Sequence, residues 1–103
     1  MTDRERPAYD QALKQLLGQA HDGVLALVAP ELRFREALSP ELSAGMRQAD
    51  FVWKVARPDG DVGVLHLELQ TQADANMGER MADYAVRLWR REHLPVRSVL
   101  ILL

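Results

Sequence analysis

The sequence predicts an α+β fold, ordered as helix, β-hairpin, helix and strand and assembled into a mixed sheet flanked by helices. Three observations lead there. Apolar residues recur at steps of three and four in two separate segments, the period of one helix face. Between those segments, two runs rich in Val, Leu and aromatics flank a Pro-Asp-Gly turn signal. The chain then closes on an apolar, partly β-branched run, VRSVLILL.

Taken in order, residues 8 to 28 place Tyr9, Leu13, Leu16, Leu17, Ala20, Val24, Leu27 and Val28 on one helical face behind Pro7, which suits the start of a helix. Gly18 and Gly23 weaken that helix by ~1 kcal/mol each relative to Ala, so an end or kink is expected near His21 to Gly23. Residues 29 to 48 carry Pro30, Pro40 and Gly45 without a sustained period and read as a connection, with one short helical turn after Ser39-Pro40. The hairpin follows, its strands meeting at Arg57-Pro58-Asp59-Gly60-Asp61, where Pro fixes φ and Gly tolerates a positive φ. Residues 75 to 92 set Met77, Met81, Tyr84, Ala85, Leu88 and Trp89 on one face, and Leu94-Pro95 ends that helix. Of these, Met77, Met81, Leu88 and Trp89 are assigned to the core, with Tyr84 at its boundary. Residues 96 to 103 read as a buried strand, which needs neighbours on both sides. The sequence therefore reads as a single domain over 1–103, as the first part of a longer fold or one completed by another chain, and at least a dimer is expected.

Length and composition set limits on function. A chain of 103 residues closes one modest core. With 48% hydrophobic and 27% charged residues it has globular rather than disordered composition. A net charge of -2 and a pI near 5.9 give no global attraction to nucleic acid. The sign is uneven, since residues 77 to 103 hold Arg80, Arg87, Arg90, Arg91 and Arg97 against Glu79, Asp83 and Glu92. The absence of cysteine excludes disulfides, thiolate zinc sites and cysteine nucleophiles. No apolar run approaches the ~20 residues that span a bilayer; no membrane partner is expected, and the location expected is cytoplasmic.

The chemistry lies in the hairpin. Side chains alternate along a strand, so Val64, His66, Glu68 and Gln70 share one face, and Leu65, Leu67 and Leu69 share the other with Phe51, Trp53 and Val55 across the hairpin. A turn centred on Asp59 sets Asp50 opposite Glu68, with Cβ atoms roughly 4.5 to 5.5 Å apart. Opposed like charges destabilise a sheet unless one is protonated, the site is well solvated or a cation lies between them. A hard divalent ion such as Mg²⁺ suits paired carboxylates. The same alternation equally fits two acids on the solvated face of an antiparallel sheet.

The segment from Arg47 to Arg87 resembles the Rpn family of recombination-promoting nucleases, also described as YhgA-like transposases, within the PD-(D/E)XK nuclease superfamily. There an Asp begins one strand and Glu-x-Gln closes the next, here Asp50 and Glu68-Leu69-Gln70. The likeness extends to Tyr9-Asp10-x-x-x-Lys14 on the first helix, to Arg80 and Tyr84 on the second, and to Leu94-Pro95-Val96. It implies a restriction-endonuclease-like core and Mg²⁺- or Mn²⁺-dependent hydrolysis of DNA. Asp50 and Glu68 would be the metal ligands, aided by the Leu69 carbonyl, and Gln70 would position the attacking water. Asp10 would be an outer acid, and Lys14 would reach a phosphate. Gln70 departs from the Lys of many active nucleases, and a neutral amide supplies no positive charge.

Arg80, Tyr84, Arg87 and Arg91 follow at steps of four, three and four, forming either a phosphate-contacting stripe or a solvated helix face. Asp10 and Lys14 equally form an ordinary i,i+4 surface pair. His66-x-Glu68 is like the His-x-Glu of zinc deaminases, but that chemistry needs cysteines this chain lacks. His21 and His93 read as capping or surface residues. The alternatives to an endonuclease are a catalytically inactive nuclease-fold module that binds protein or DNA, and a self-associating structural domain.

Overall fold

The computed structural model describes residues 11–12, 15–42, 49–72 and 74–102. Residues 15 to 19 are helical, and a second helical stretch, α1, covers His21–Val28. The break falls at Ala20, with φ -106° and ψ 37°, just ahead of the expected kink. Gly18 serves the packing, because a Cβ there would lie 3.2 Å from the ring of Phe51.

After α1 the chain forms a strand where the sequence reading places a connection. This strand, β1 (Arg33–Ala37), pairs antiparallel with β2 (Phe51–Ala56). Its residues are mostly exposed and charged, with Phe34 the half-buried one, so the strand is held by pairing rather than by an apolar pattern of its own. A register shift between Phe34 and Glu36 and the charged side chains blunt this outer edge against unwanted pairing. Glu41 and Leu42 are not helical, and the remainder of the turn expected after Pro40 lies outside the described residues.

β2 pairs with β3 (Val62–Gln70) in the expected antiparallel register, Phe51 facing Leu67 and Trp53 facing Leu65. The turn closes through Gly60 N–H to the Arg57 carbonyl (2.9 Å) and Asp61 N–H to Asp59 Oδ1 (2.9 Å), with Gly60 at φ +96°. Helix α2 (Met77–Glu92) ends at His93 in the left-handed region, whose N–H donates to the Trp89 carbonyl. Strand β4 (Val96–Leu102) returns parallel to β3, giving a mixed sheet of order β1-β2-β3-β4.

Both faces of the sheet are covered. On one, Val24, Leu25, Ala29 and Leu32 pack over Trp53, Val55, Leu65 and Leu67. On the other, Tyr84 and Leu88 of α2, with Leu42 and Ala49, pack over Val52 and Val64. The acid-bearing face is therefore a second core, not the solvated face that alternation equally allowed. Two further expectations are corrected. Trp89 is 56% exposed, because it stands about 100° around the helix from Leu88 and leaves the buried stripe. β4 is an outer strand, with Leu102 64% exposed, because β3 pairs with it on one side and α2 shields only part of its face. Among the described residues no helix is long and apolar enough to cross a membrane.

Candidate metal centre

The site grows out of the hairpin's open end. Past the last ladder pair, Phe51 with Leu67, the register continues to Asp50 and Glu68. Asp50 sits in a bend immediately before β2. Its Oδ2 accepts the N–H of Leu69 at 2.7 Å, and its own N–H donates to Glu68 Oε2 at 3.3 Å. Each acid thus caps the other strand's backbone, and the two carboxylates are held side by side. Leu69 turns its N–H toward Asp50, and in antiparallel pairing a residue's C=O leaves on the same side as its N–H, so the Leu69 carbonyl faces the same edge.

Glu68 is 4% exposed. Burial, the largest influence, holds its carboxyl above the usual carboxylate range; the His66 hydrogen bond opposes that, and the hydrogen bond and charge of Asp50 add to it. Burial and the neighbouring acid both work against the ionised form, which opposite charge beside it would favour. A divalent cation supplies such charge, and Mg²⁺ accepts a site of one or two carboxylates plus a carbonyl because it keeps several waters. The donor set at Asp50, Glu68 and Leu69 fits that requirement. Among the described residues there is no cluster of three or more His, Cys, Asp or Glu side chains placed to hold a metal ion.

Behind Glu68 lies a polar chain that motif reasoning set aside. His66 is 0% exposed. Its Nε2 is 2.9 Å from Glu68 Oε1 and its Nδ1 is 3.0 Å from Ser98 Oγ. Ser98 is the register partner of His66 on β4, and the ring of Tyr84 meets the imidazole edge-on at 5.5 Å. Alternation alone placed His66 beside Glu68. Ser98 carried no such signal, being a polar residue next to Arg97 in an otherwise apolar run whose partner strand lies across a helical crossover.

The other candidates scatter. Gln70 lies half-buried at the end of β3, two residues beyond Glu68 on the same face. Arg80 sits 3.5 Å from Asp74 and donates to the Met77 sulfur, while its Nε is sealed from solvent without a hydrogen-bond partner among the described residues. Tyr84 is buried against His66, which breaks the expected stripe: the helix turns this ring into the second core, where a phosphate cannot reach it. Arg87 pairs with Asp83 at 3.0 Å, and Arg91 bonds Glu92 and the Glu41 carbonyl. Arg87, Arg90 and Arg91 line an open groove of about 760 Å³ with Ser39, Leu42 and two acids, Glu41 and Glu92. Neither Asp50 nor Glu68 lines this groove. Asp10 and Lys14, like Arg47 at the start of the resemblance, lie outside the described residues.

No family model, curated protein or solved structure matches the chain.

Proposed function

We propose that the chain is a metal-dependent DNA endonuclease domain with a restriction-endonuclease-like core, of the Rpn type that its sequence resembles. One observation carries this: Asp50 and Glu68 are locked side by side at the open end of a hairpin, in surroundings that favour neutralising the charge of Glu68. Support also comes from the element order, in which α2 leads from β3 into a parallel β4. Bound Mg²⁺ or Mn²⁺ would supply Lewis-acid activation of water and neutralise charge on the phosphate. The residues' own parts are those that the resemblance implies. Asp50 and Glu68 hold the ion with the Leu69 carbonyl, Gln70 orients water through its amide, and Arg80 steadies a phosphate.

A second proposal, a catalytically inactive nuclease-fold module that binds DNA or protein and self-associates, is favoured by one feature. Arg87, Arg90 and Arg91 gather along one groove that Asp50 and Glu68 do not line, so a polyanion could be held there without contacting them.

Calorimetric titration with Mg²⁺ and Mn²⁺ beside plasmid nicking decides between them. The endonuclease binds a divalent ion and nicks DNA, and Glu68→Ala or Asp50→Ala abolishes both. No divalent binding at millimolar concentration, or nicking that survives Glu68→Ala, sinks the catalytic proposal.

A further inference from the structure

We infer that His66, anchored by Ser98, is a positioning residue that fixes the Glu68 carboxylate for cation binding; this rests on the metal site proposed above. The imidazole is wholly buried, so its two nitrogens must find partners within the protein. They meet Ser98 Oγ and Glu68 Oε1, and these two contacts set the plane of the ring. When Glu68 is ionised it can only accept, so the His66 Nε2–H donates to Oε1 and the Ser98 hydroxyl donates to Nδ1. Oε1 is thereby taken by the shorter bond, and Oε2, which accepts the longer 3.3 Å bond from the Asp50 N–H, keeps a second lone pair beside Asp50 for a cation. A Glu side chain has three rotatable bonds, and ordering it beforehand removes that cost from binding. Groups that orient a metal ligand in this way typically change affinity by about ten- to a hundred-fold when removed.

The residue also packs against Tyr84, so a role in packing alone must be separated from positioning. His66→Phe retains a ring for Tyr84 but removes the donor, whereas His66→Gln retains a donor near the Nε2 position and loses the ring. Packing alone ranks Phe above Gln; positioning ranks Gln above Phe. Ser98→Ala removes only the anchor.

The test is calorimetric titration of Mg²⁺ into the wild type and these three variants, with thermal melts to confirm folding and a long-range ¹H–¹⁵N NMR correlation of the Mg²⁺-loaded wild type. His66→Phe should weaken Mg²⁺ binding about ten- to a hundred-fold. His66→Gln should recover most of that loss, Ser98→Ala should weaken binding several-fold, and the spectrum should show the Nε2–H tautomer. A wild type that binds no divalent ion at millimolar concentration overturns the metal site and this inference together. Wild-type binding with unchanged affinity in His66→Phe and Ser98→Ala overturns the inference alone, as does an Nδ1–H tautomer. Should His66→Phe fail to fold, Ser98→Ala decides, and unchanged affinity there overturns the inference.

Discussion

Glu68 carries a consequence for pH. Its carboxyl is held above the ordinary value of 4.5 by burial and by Asp50, so the metal-free native state binds this proton more tightly than the unfolded chain does. The stability that Glu68 contributes is therefore complete below about pH 4.5 and is lost as pH rises through the raised native value. In EDTA, melting temperature should fall across that window. Glu68→Gln, which resembles the protonated acid, should flatten the fall and melt higher than wild type at neutral pH. Saturating Mg²⁺ should restore wild-type stability at pH 7.5, and identical pH slopes in wild type and Glu68→Gln would refute the assignment. Leu88 offers a control unrelated to charge. It is fully buried in the core beneath α2, and Leu88→Ala should cost about 2 to 5 kcal/mol in urea denaturation.

Among the elements, the hairpin and α2 were readable in the sequence because each carries its own local instructions. A Pro-Asp-Gly turn set the register, and the steps joining Met77, Tyr84 and Leu88 set the helix face. Gly60 is where that turn is vulnerable. Its φ is +96° and a Cβ there would meet nothing within 4 Å, so Gly60→Ala should lose about 1 to 2 kcal/mol through backbone strain alone. Because Gly60 is at the far end of the hairpin from Asp50, divalent-ion affinity should not move; titration and urea melts on one sample check both. β1 was not readable, since a charged outer strand with one half-buried Phe has no period and exists through its pairing with β2. The candidate site divides along the same line. Asp50 and Glu68 follow from the hairpin register, whereas Ser98 depends on a parallel pairing that no local pattern specifies.

For the molecule as a whole, covering both sheet faces leaves Leu16, Leu27, Val86 and Trp89 exposed on the helices and Leu100 and Leu102 exposed on the β4 side of the sheet. If self-association uses this side, Leu102→Lys should shift a wild-type dimer toward monomer in light scattering while leaving the circular dichroism spectrum unchanged. A wild type that stays monomeric at high concentration removes that expectation. The order of the strands also has a kinetic meaning. The bond from Leu69 to Asp50 spans 19 residues inside one hairpin, whereas the contact of His66 with Ser98 spans 32 and waits for α2 to cross the sheet. Closing the shorter, hairpin-guided loop costs less entropy before its contacts form. The two acids should consequently meet early in refolding, with the histidine free to wander until β4 docks. Substitutions at the turn should slow refolding, while Ser98→Ala should act mainly on the rate of unfolding.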